Sequence, residues 1–364
     1  MKSLAIVAIT EKGCLLGEEI ASEFSDIDLL TIRERKKWRS EWEDLSSLVE
    51  AAFKQYDGIL FIMALGIVVR MISKHIVSKD SDPAIVVLDE QGNNTISLLS
   101  GHLGGGNKLT EEIAQFLNNN SVITTATDVN NIYALDSFAS DYGLIVDPIK
   151  NIKKFNLALL EEKNIDILID EGIDITDNEE TKNFSFCKTV NYNNQIDNKK
   201  LIGIISNKVN VSFKSDIFLR PKNIILGVGC KKNYPTNIFE DNLLKSIAEK
   251  NISIKSIKEI RSIHLKKDEK CLKDFSIKYK IPFKTYSAAD LNREFEKHHD
   301  LLRSEFVFKN TGTYGVAEPA ALISENDKLN LISRRIEMDG MTIAISEESP
   351  IVLSKSNKKW LRRN

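Results

Sequence analysis

A histidine lies inside the most glycine-rich segment of the chain, residues 98–107, whose sequence is LLSGHLGGGN. Glycine has no Cβ, so such a segment can bring backbone N–H groups close to a bound anion or a developing oxyanion. The imidazole of His102 titrates near neutral pH, which suits a general acid or base, and it could also face a metal. The alternative is that His102 only closes the loop through a hydrogen bond.

The residues on either side predict a strand before this segment and a helix after it. An apolar run ends at Leu99, and Leu109, Ile113, Phe116 and Leu117 recur at helical spacing. The positive end of the helix dipole would then favour an anion at the glycine segment. The candidate substrate-binding residues of this region are Ser100, Gly101, Gly104, Gly105, Gly106, Asn107 and Lys108.

Other polar residues of the N-terminal part also have two interpretations. Ser100 lacks the Gly-x-Ser-x-Gly setting of a nucleophile, which favours a structural capping role for its hydroxyl. Arg70 ends the apolar run 64–69 and could form a salt bridge or bind a substrate carboxylate with two hydrogen bonds. Asp128 follows two threonines, an alanine and a third threonine, and could order a loop or act on substrate. Arg70 and Asp128 are therefore further substrate-binding candidates.

A second glycine-bearing segment follows residue 222. Gly227, Gly229, Cys230 and Lys231 come after an apolar run and before a helical pattern, which predicts another strand, glycine turn and binding segment. Cys230 could be a reactive thiolate near a helix start or a small packing residue. Glu318 falls in the first turn of a later predicted helix, where a carboxylate either interacts with the helix dipole or takes part in catalysis.

Neither glycine segment matches a common nucleotide-binding template. Asn107 stands where a phosphate-binding loop needs its lysine. Gly227 and Gly229 lack the third glycine of a dinucleotide fingerprint. These mismatches disfavour a nucleotide-binding protein.

Composition excludes several classes of protein. The 364 residues include 50 Lys and Arg and 52 Asp and Glu, a net charge of −2 that gives no sign of a nucleic-acid partner. The four cysteines are widely spread, with no CxxC spacing, which argues against a disulfide framework and a zinc site. The apolar runs are too short to indicate a signal peptide or a membrane span. We therefore expect a cytoplasmic protein that binds a small molecule.

Segments rich in Ile and Val alternate with segments of helical period along most of the chain. This alternation predicts two α/β domains, with mainly parallel or mixed sheets, joined by a small strand-rich middle domain. The predicted domains are residues 1–137, 138–221 and 222–350, followed by a basic tail, 351–364, of which we expect residues 355–364 to be disordered. Ligands of parallel sheets bind outside the carboxyl ends of the strands, and we expect the first glycine segment to lie at that edge.

Several motifs resemble those of the CbiG family of cobalamin biosynthesis. In the N-terminal part they are residues 64–70 (ALGIVVR), 82–90 (DPAIVVLDE), 98–107 and 124–128 (TTATD). In the C-terminal part they are residues 226–232 (LGVGCKK), 267–269 (KDE) and 315–322 (GVAEPAAL), and this part is also similar to the related CobE proteins. The resemblance spans nearly the whole chain, although Gly106 stands where the family pattern suggests alanine.

The resemblance implies a hydrolase that opens the δ-lactone of cobalt-precorrin-5A and releases acetaldehyde to give cobalt-precorrin-5B. It also implies a carboxylated tetrapyrrole as partner and no separate cofactor or resident metal, since the substrate carries the cobalt. In such a hydrolase, His102 or Glu318 would deliver water to the lactone carbonyl, and N–H groups of residues 103–107 would stabilise the oxyanion. His102 could alternatively ligate the substrate's cobalt.

Other hypotheses remain about what the protein does and what it contacts. A non-catalytic corrinoid carrier would need the same anion-binding turns but no acid or base. A homodimer and transient contacts with other enzymes of the corrin pathway are further partner hypotheses.

Overall fold

A computed structural model describes residues 3–31, 42, 44–78, 81–176, 181–191, 201–212, 215–324, 329–355 and 360–361. The chain divides into two compact units. Unit 1 comprises Met1–Tyr142, Ile152–Lys163 and Lys355–Asn364, and unit 2 comprises Gly143–Asn151 and Asn164–Ser354. No helix within the described ranges is long and apolar enough to cross a membrane.

Unit 1 is built on a six-stranded sheet with the order β2-β1-β3-β4-β5-β6. The strands are β1 Leu4–Ala8, β2 Ile27–Thr31, β3 Gly58–Ile62, β4 Ala84–Leu88, β5 Asn94–Leu99 and β6 Asn120–Val122. Every residue of β1, β3 and β4 is buried, because helices cover both faces of these central strands. The predicted α/β architecture is confirmed, with a mixed sheet.

The direction of β5 places the glycine segment at an unexpected edge of this sheet. Strands β1 to β4 are mutually parallel, but β5 is antiparallel to β4, with Leu99 beside Ile85 and Thr95 beside Leu88. Strand β6 is parallel to β5. The turn after Leu99 therefore lies at the carboxyl ends of β5 and β6, where β1, β3 and β4 begin. Our expectation that it follows the common carboxyl edge of the parallel strands was wrong.

Asp89 causes this reversal. Its carboxylate accepts hydrogen bonds from the backbone N–H groups of Gln91, Asn93 and Asn94, and Gly92 adopts a positive φ of 73° in the same turn. This is the Asx-turn chemistry that favours a tight hairpin. The acidic and amide residues that were recognisable in the sequence thus turn the chain back on itself before the site.

The helices of unit 1 connect and cover these strands. They are α1 Glu11–Glu23, α2 Leu45–Gln55, α3 Leu65–Ile72, α4 Gly106–Leu117, α5 Ala126–Val129, α6 Leu135–Asp141 and α7 Ile152–Leu160. Helix α4 buries Leu109 and Ile113 against the sheet, as the spacing of its apolar residues predicts. Its first residue follows Gly105, so the helix starts within the glycine segment.

Unit 2 contains two five-stranded sheets and a short strand pair. The first sheet has the order β10-β8-β11-β12-β7, from β7 Leu144–Asp147, β8 Ile165–Ile169, β10 Phe184–Lys188, β11 Ile202–Ile205 and β12 Ile217–Pro221. It corresponds to the strand-rich region predicted for the middle of the chain. Asn207, after β11, donates hydrogen bonds to Asn223 and Glu347, which links this sheet to the second one.

The second sheet of unit 2 has the order β15-β14-β13-β17-β16. Its strands are β13 Ile224–Cys230, β14 Ile257–Ile263, β15 Phe283–Tyr286, β16 Leu329–Met338 and β17 Met341–Glu348. The accompanying helices are α8 Thr236–Glu249, α9 Lys270–Tyr279, α10 Ala288–Lys297, α11 Glu305–Thr311 and α12 Ala317–Leu322. Strand β13 is central and pairs parallel with β14 and antiparallel with β17.

The C-terminal segment is folded where the structure describes it, which contradicts the expected disorder at Trp360 and Leu361. Strand β18, Ile351–Leu353, pairs in parallel with β9, Ile173–Ile175, in unit 2. Trp360 and Leu361 are buried in the core of unit 1. Residues 356–359 and 362–364 of the predicted tail lie outside the described residues. Two apolar side chains in a segment of basic composition account for the burial.

Gly227 allows α12 to pack directly on β13. A Cβ at this position would come within 1.9 Å of the Ala317 carbonyl oxygen and 2.7 Å of the Ala321 nitrogen. Backbone atoms cannot move aside as flexible side chains can. This glycine therefore serves close helix–strand packing within a strand, and the predicted turn at Gly227 and Gly229 does not form.

We predict that Gly227→Ala destabilises unit 2 by about 3 kcal/mol or more, the upper end of typical overpacking costs. Gly66→Ala is the control, because its Cβ would meet only Arg70 Nη1 at 3.7 Å, an ordinary contact, and alanine favours a helix. Calorimetric unfolding of both variants measures the effect. Equal melting temperatures for Gly227→Ala and the parent would contradict the packing role.

Candidate functional site

The glycine segment forms a closed turn whose backbone donors are largely used within the turn. Gly105 N–H donates to the His102 carbonyl (3.0 Å), Gly106 N–H to the Ser100 carbonyl (3.1 Å) and Asn107 N–H to the Gly101 carbonyl (2.9 Å). These three N–H groups belong to the stretch expected to stabilise an oxyanion. In this conformation the three are not available to a ligand, so the expectation is corrected for Gly105, Gly106 and Asn107.

The glycines are required by the tightness of the turn. A Cβ at Gly101 would lie 2.5 Å from Asn107 Oδ1, one at Gly104 would lie 2.6 Å from the Ser100 oxygen, and one at Gly106 would lie 2.9 Å from the Leu99 oxygen. Gly105 has a φ of 87°, which favours glycine. The turn is therefore a compact scaffold, and the residue that it presents is His102.

His102 lies between two carboxylates. Its Nε2 is 2.7 Å from Asp128 Oδ2 and its Nδ1 is 3.2 Å from Asp136 Oδ1. The His102 side chain is only 8% exposed and that of Asp136 only 9%, whereas that of Asp128 is 36% exposed. Strand β5 leads into the turn that holds His102, and β6 leads into α5, which carries Asp128. Asp136 comes from the first turn of α6.

Amide side chains hold the two carboxylates in place. Asn107 Nδ2 donates to Asp128 Oδ2 (3.0 Å), and its Oδ1 accepts from the hydroxyl of Ser97 (2.7 Å). On the other side, Asn156 Nδ2 donates to Asp136 Oδ1 (2.9 Å). Asn107 therefore helps to position the site and faces an acidic group, whereas the sequence had suggested that it binds substrate.

The two carboxylates keep His102 protonated. Burial alone would lower the pKa of His102, but its hydrogen bonds to Asp128 and Asp136, and their negative charges, raise the pKa to about 9. Burial acts to raise the pKa of Asp136, and His102 and Asn156 together hold it below its usual value. At neutral pH the cluster is an imidazolium between two carboxylates.

This geometry limits what His102 can do. A doubly protonated imidazole has no lone pair, so it can serve as a general acid but neither as a base nor as a cobalt ligand until it loses a proton. Asp128 is the solvent-accessible member of the cluster and has the oxygen atoms needed to accept a proton. Within the described part of the chain, no group of three or more His, Cys, Asp or Glu side chains could hold a metal ion.

Ser100 and Lys108 differ in their freedom to meet a ligand. The Ser100 hydroxyl donates to the Asp82 carbonyl (3.1 Å), the structural capping role that its setting favours. Lys108 is partly buried on α4 and forms no ion pair among the described residues. Next to it, burial and the charge of Asp128 raise the pKa of Glu111. More acidic side chains surround His102 than would be expected at an anion-binding site.

Arg70 lies apart from this hydrogen-bonded cluster. Helix α3 starts after β3, at the opposite edge of the sheet from the glycine turn, and Arg70 occupies its last turn. The exposed guanidinium makes one long hydrogen bond, 3.4 Å, to the Gly66 carbonyl, and no carboxylate pairs with it in the described ranges. Its charge is therefore available to an acidic ligand.

The site residues predicted in unit 2 lie in surroundings that indicate structural roles. Gly229 is inside β13, and Lys231 is exposed, with its Nζ 3.2 Å from Asp339. A hydrogen bond to Cys271 and then burial raise the pKa of Cys230, which argues against a reactive thiolate. Cys230 instead packs against the core of this unit.

Glu318 is buried, with 2% exposure, in α12. Its Oε2 accepts from the Leu302 N–H (3.3 Å) and its Oε1 from the Arg335 N–H (3.2 Å). Both oxygens are thus bonded to backbone groups of neighbouring segments. This arrangement supports a structural role, the alternative to catalysis that the sequence left open.

Family models of known proteins match three parts of the chain. They are described as cobalamin synthesis G N-terminal over residues 47–128, cobalamin biosynthesis central region over residues 133–221 and cobalamin synthesis G C-terminus over residues 224–346. A curated relative from Priestia megaterium, named cobalt-precorrin-5A hydrolase, is 31% identical over 351 residues, 91% of either chain.

The chain belongs to the CbiG family.

Other relatives of this CbiG-family protein agree with the assignment. A cobalt-precorrin-5A hydrolase from Salmonella typhimurium is 31% identical and covers 94% of the chain and 97% of its own length. The protein CobE from Sinorhizobium is 26% identical over 123 residues, which are 34% of this chain and 79% of that protein. The similarity of the C-terminal part to CobE is thereby supported.

Asp136 and Asn156 are functional candidates that the sequence did not reveal in this CbiG-family chain. Asp136 lies in the first turn of α6, a position where a carboxylate usually interacts with the helix dipole. Asn156 lies in the polar region after residue 148 and had no distinguishing spacing. Only the tertiary fold brings these two side chains to His102.

We predict that the stability of the CbiG-family protein decreases as pH rises from about 6.5 to about 9. An unfolded histidine loses its proton near pH 6.5, whereas folded His102 keeps its proton until about pH 9. The stabilisation of the folded state by the charged imidazole is therefore complete below about pH 6.5 and is lost as the pH rises to about 9. The expected loss is about 1–3 kcal/mol.

Melting temperatures of the parent and His102→Gln across this pH range measure the contribution. The variant should show a smaller decrease, because it lacks the titrating imidazole and keeps every other titrating side chain. Identical pH dependence in the two proteins would show that His102 is not held as a cation.

Proposed function

We propose that this protein hydrolyses cobalt-precorrin-5A by opening its δ-lactone, and that it releases acetaldehyde to form cobalt-precorrin-5B. The observation that supports this proposal is the Asp128–His102–Asp136 cluster, an acid–base arrangement with one exposed carboxylate. The relatives that share 31% of their residues with this chain are named for hydrolysis of that compound. A small, carboxylated tetrapyrrole and a cytoplasmic location belong to the same proposal.

In the proposed reaction Asp128 activates water. Its exposed carboxylate accepts a proton from a water molecule as the oxygen of that water attacks the lactone carbonyl. Asn107 Nδ2 and His102 Nε2 both bond to Asp128 Oδ2, at 3.0 Å and 2.7 Å, which fixes the orientation of the carboxylate. The other oxygen, Oδ1, is left to face the water.

His102 then acts as a general acid. Once Asp128 has taken up the water proton, the Nε2–H of His102, which is bonded to Asp128 in this structure, turns to the ring oxygen. The tetrahedral intermediate expels the ring oxygen, and the imidazolium supplies the proton that converts it to a hydroxyl group. The proton on Asp128 then passes to Nε2 and restores the cluster. A pKa of about 9 suits this donation near neutral pH, because the cation is present and its proton is still acidic enough to transfer. Asp136 stabilises the cation by charge and holds the ring in place.

Release of the two-carbon unit follows from the product of this step. The new hydroxyl group loses its proton and becomes a carbonyl, the adjacent carbon–carbon bond breaks, and acetaldehyde leaves. The electron pair of that bond passes into the electron-poor macrocycle, which later takes up a proton. This route needs an acid and a base but no oxidant.

Recognition of the substrate would depend on its acetate and propionate groups. Lys108, in the first turn of α4 beside the glycine turn, can pair with such groups, and its charge also interacts with Glu111 on the same helix. Arg70 lies at the opposite edge of the sheet from the cluster and has no part in this step. Glu318 is not part of this proposal, because both of its oxygens are bonded to backbone N–H groups. Ligation of the substrate's cobalt by His102 is also set aside, since the doubly protonated ring has no lone pair to offer a metal.

Anaerobic incubation of the purified protein with cobalt-precorrin-5A tests the function. Acetaldehyde and the lactone-opened product should form within a single turnover, and mass spectrometry can follow both. A corrinoid carrier would bind the compound without releasing acetaldehyde. That result would refute the hydrolase proposal in favour of the carrier.

Substitutions in the cluster should separate the catalytic groups. We expect Asp128→Asn and His102→Ala each to lower kcat at least about 100-fold, the usual contribution of a positioned acid or base. Asp141→Asn is the matched control, because its carboxylate accepts from Tyr133 and pairs with Lys355 but does not bond to His102. Activity within a few-fold of the parent in Asp128→Asn would eliminate Asp128 as the base.

Glu318→Gln should affect folding more than chemistry. The amide replaces one of two carboxylate oxygens that accept backbone hydrogen bonds, and loss of such a buried bond costs about 1–3 kcal/mol. We expect a lower melting temperature and a kcat within a few-fold of the parent at a temperature where the variant is folded. A 100-fold loss of kcat without a change in stability would restore Glu318 as a catalyst.

A further inference from the structure

The end of the chain contacts the turn that carries His102. Trp360 and Leu361 are 7% and 5% exposed and pack with Leu109 and Ile113 of α4 in the core of unit 1. Nearly 200 residues of unit 2 separate this tail in sequence from the rest of unit 1. Burial of one indole does not by itself explain why this tail contacts the turn that holds His102.

Trp360 makes one directional contact and one close packing contact. Its indole Nε1–H donates to the carbonyl oxygen of Gly105 at 2.9 Å. Its six-membered ring lies over Gly58, the first residue of β3, where a Cβ would come within 2.7 Å of the Cη2 and Cζ3 atoms. The ring is thus held between the start of β3 and the glycine turn.

Gly105 connects this indole to His102. Its N–H donates to the His102 carbonyl, and its carbonyl accepts from both Trp360 Nε1 and the Leu109 N–H. Its φ of 87° is in the left-handed region, which favours a glycine at the start of α4. The hydrogen bond from Trp360 therefore restrains the residue that closes the loop around His102.

Leu361 fixes the tail on the same helix. Its backbone N–H donates to Glu112 Oε2 at 2.9 Å. The two tail residues thus hold α4 at two points, one at its start and one about two turns along. Only the contact made by Trp360 reaches the glycine turn.

We propose that Trp360 is a positioning residue that acts through Gly105 to hold His102 between Asp128 and Asp136. This inference rests on the proposed function for its effect on catalysis, because His102 is the acid in that reaction. Its effect on the geometry of His102 does not depend on the identity of the substrate.

The test uses the full-length protein and the variants Trp360→Phe, Gly58→Ala and Leu361→Ala. Trp360→Phe keeps an aromatic ring but removes the N–H donor. Gly58→Ala places a Cβ against the six-membered ring of the indole and displaces it. Leu361→Ala is the matched control, because it removes buried apolar surface from the same tail and leaves the bond to Gly105 intact. Melting temperatures report the purely structural loss in each variant.

The decisive measurement is the NMR titration of the His102 imidazole, assigned by its absence in His102→Gln. We expect Trp360→Phe and Gly58→Ala to shift the midpoint downward from about 9 by at least about half a pH unit, since His102 moves away from its carboxylates. Both variants should lower kcat about 3- to 10-fold, with little change in KM. Leu361→Ala should leave the midpoint unchanged.

An unchanged midpoint in both Trp360→Phe and Gly58→Ala would overturn the proposal, even if their melting temperatures fall. An equal shift in Leu361→Ala would do the same, because general loosening of the tail would then explain the result. Failure of the parent protein to release acetaldehyde would refute the proposed function separately. The titration contains no substrate and would still decide whether Trp360 positions His102.

Discussion

The site depends on one interaction, the contact of a buried imidazolium with two carboxylates. A buried cation is costly unless it is paired, and here each ring nitrogen of His102 has its own acidic partner. The same pairing commits Asp128 and Asp136 to fixed positions. Asn107 and Asn156 each donate a further hydrogen bond to the carboxylate oxygen that faces His102, and Ser97 in turn donates to Asn107. The cluster has one positive and two negative charges, so loss of His102 would leave two neighbouring carboxylates without their cation.

The glycines contribute to this cluster indirectly. Glycine-rich turns before helices often bind anions through free N–H groups. Here the N–H groups of Gly105, Gly106 and Asn107 bond to carbonyls of the same turn, and the missing Cβ atoms make room for Asn107 and for the chain itself. The turn therefore holds the side chain of His102 in a fixed position. The carboxylates around that side chain favour a positive charge.

Much of the architecture could be predicted from the sequence, because the buried strands are continuous apolar runs and α4 has clear helical spacing. The direction of β5 was harder, since an apolar run has the same composition in either direction, and only the hairpin chemistry at Asp89 indicated the reversal. Asp136 could not be identified, because its pairing with His102 arises from tertiary contact. Gly227 was interpreted as a turn residue, whereas the Ala-rich face of α12 determines its role. The buried Trp360 was hidden by the basic residues around it.

The reversed strand has a consequence for how the site assembles during folding. From β5 to α6 the chain runs through strand, turn, helix, strand and two short helices without interruption, and it supplies His102, Asn107, Asp128 and Asp136 in that order. These residues are separated by at most a few dozen positions, so short loops must close to bring them together. Contacts of low sequence separation cost less loop-closure entropy, and chains rich in them fold faster. The reactive group and both of its partners can thus meet before the distant end of the chain has been synthesised, and Trp360 then secures an arrangement that already exists.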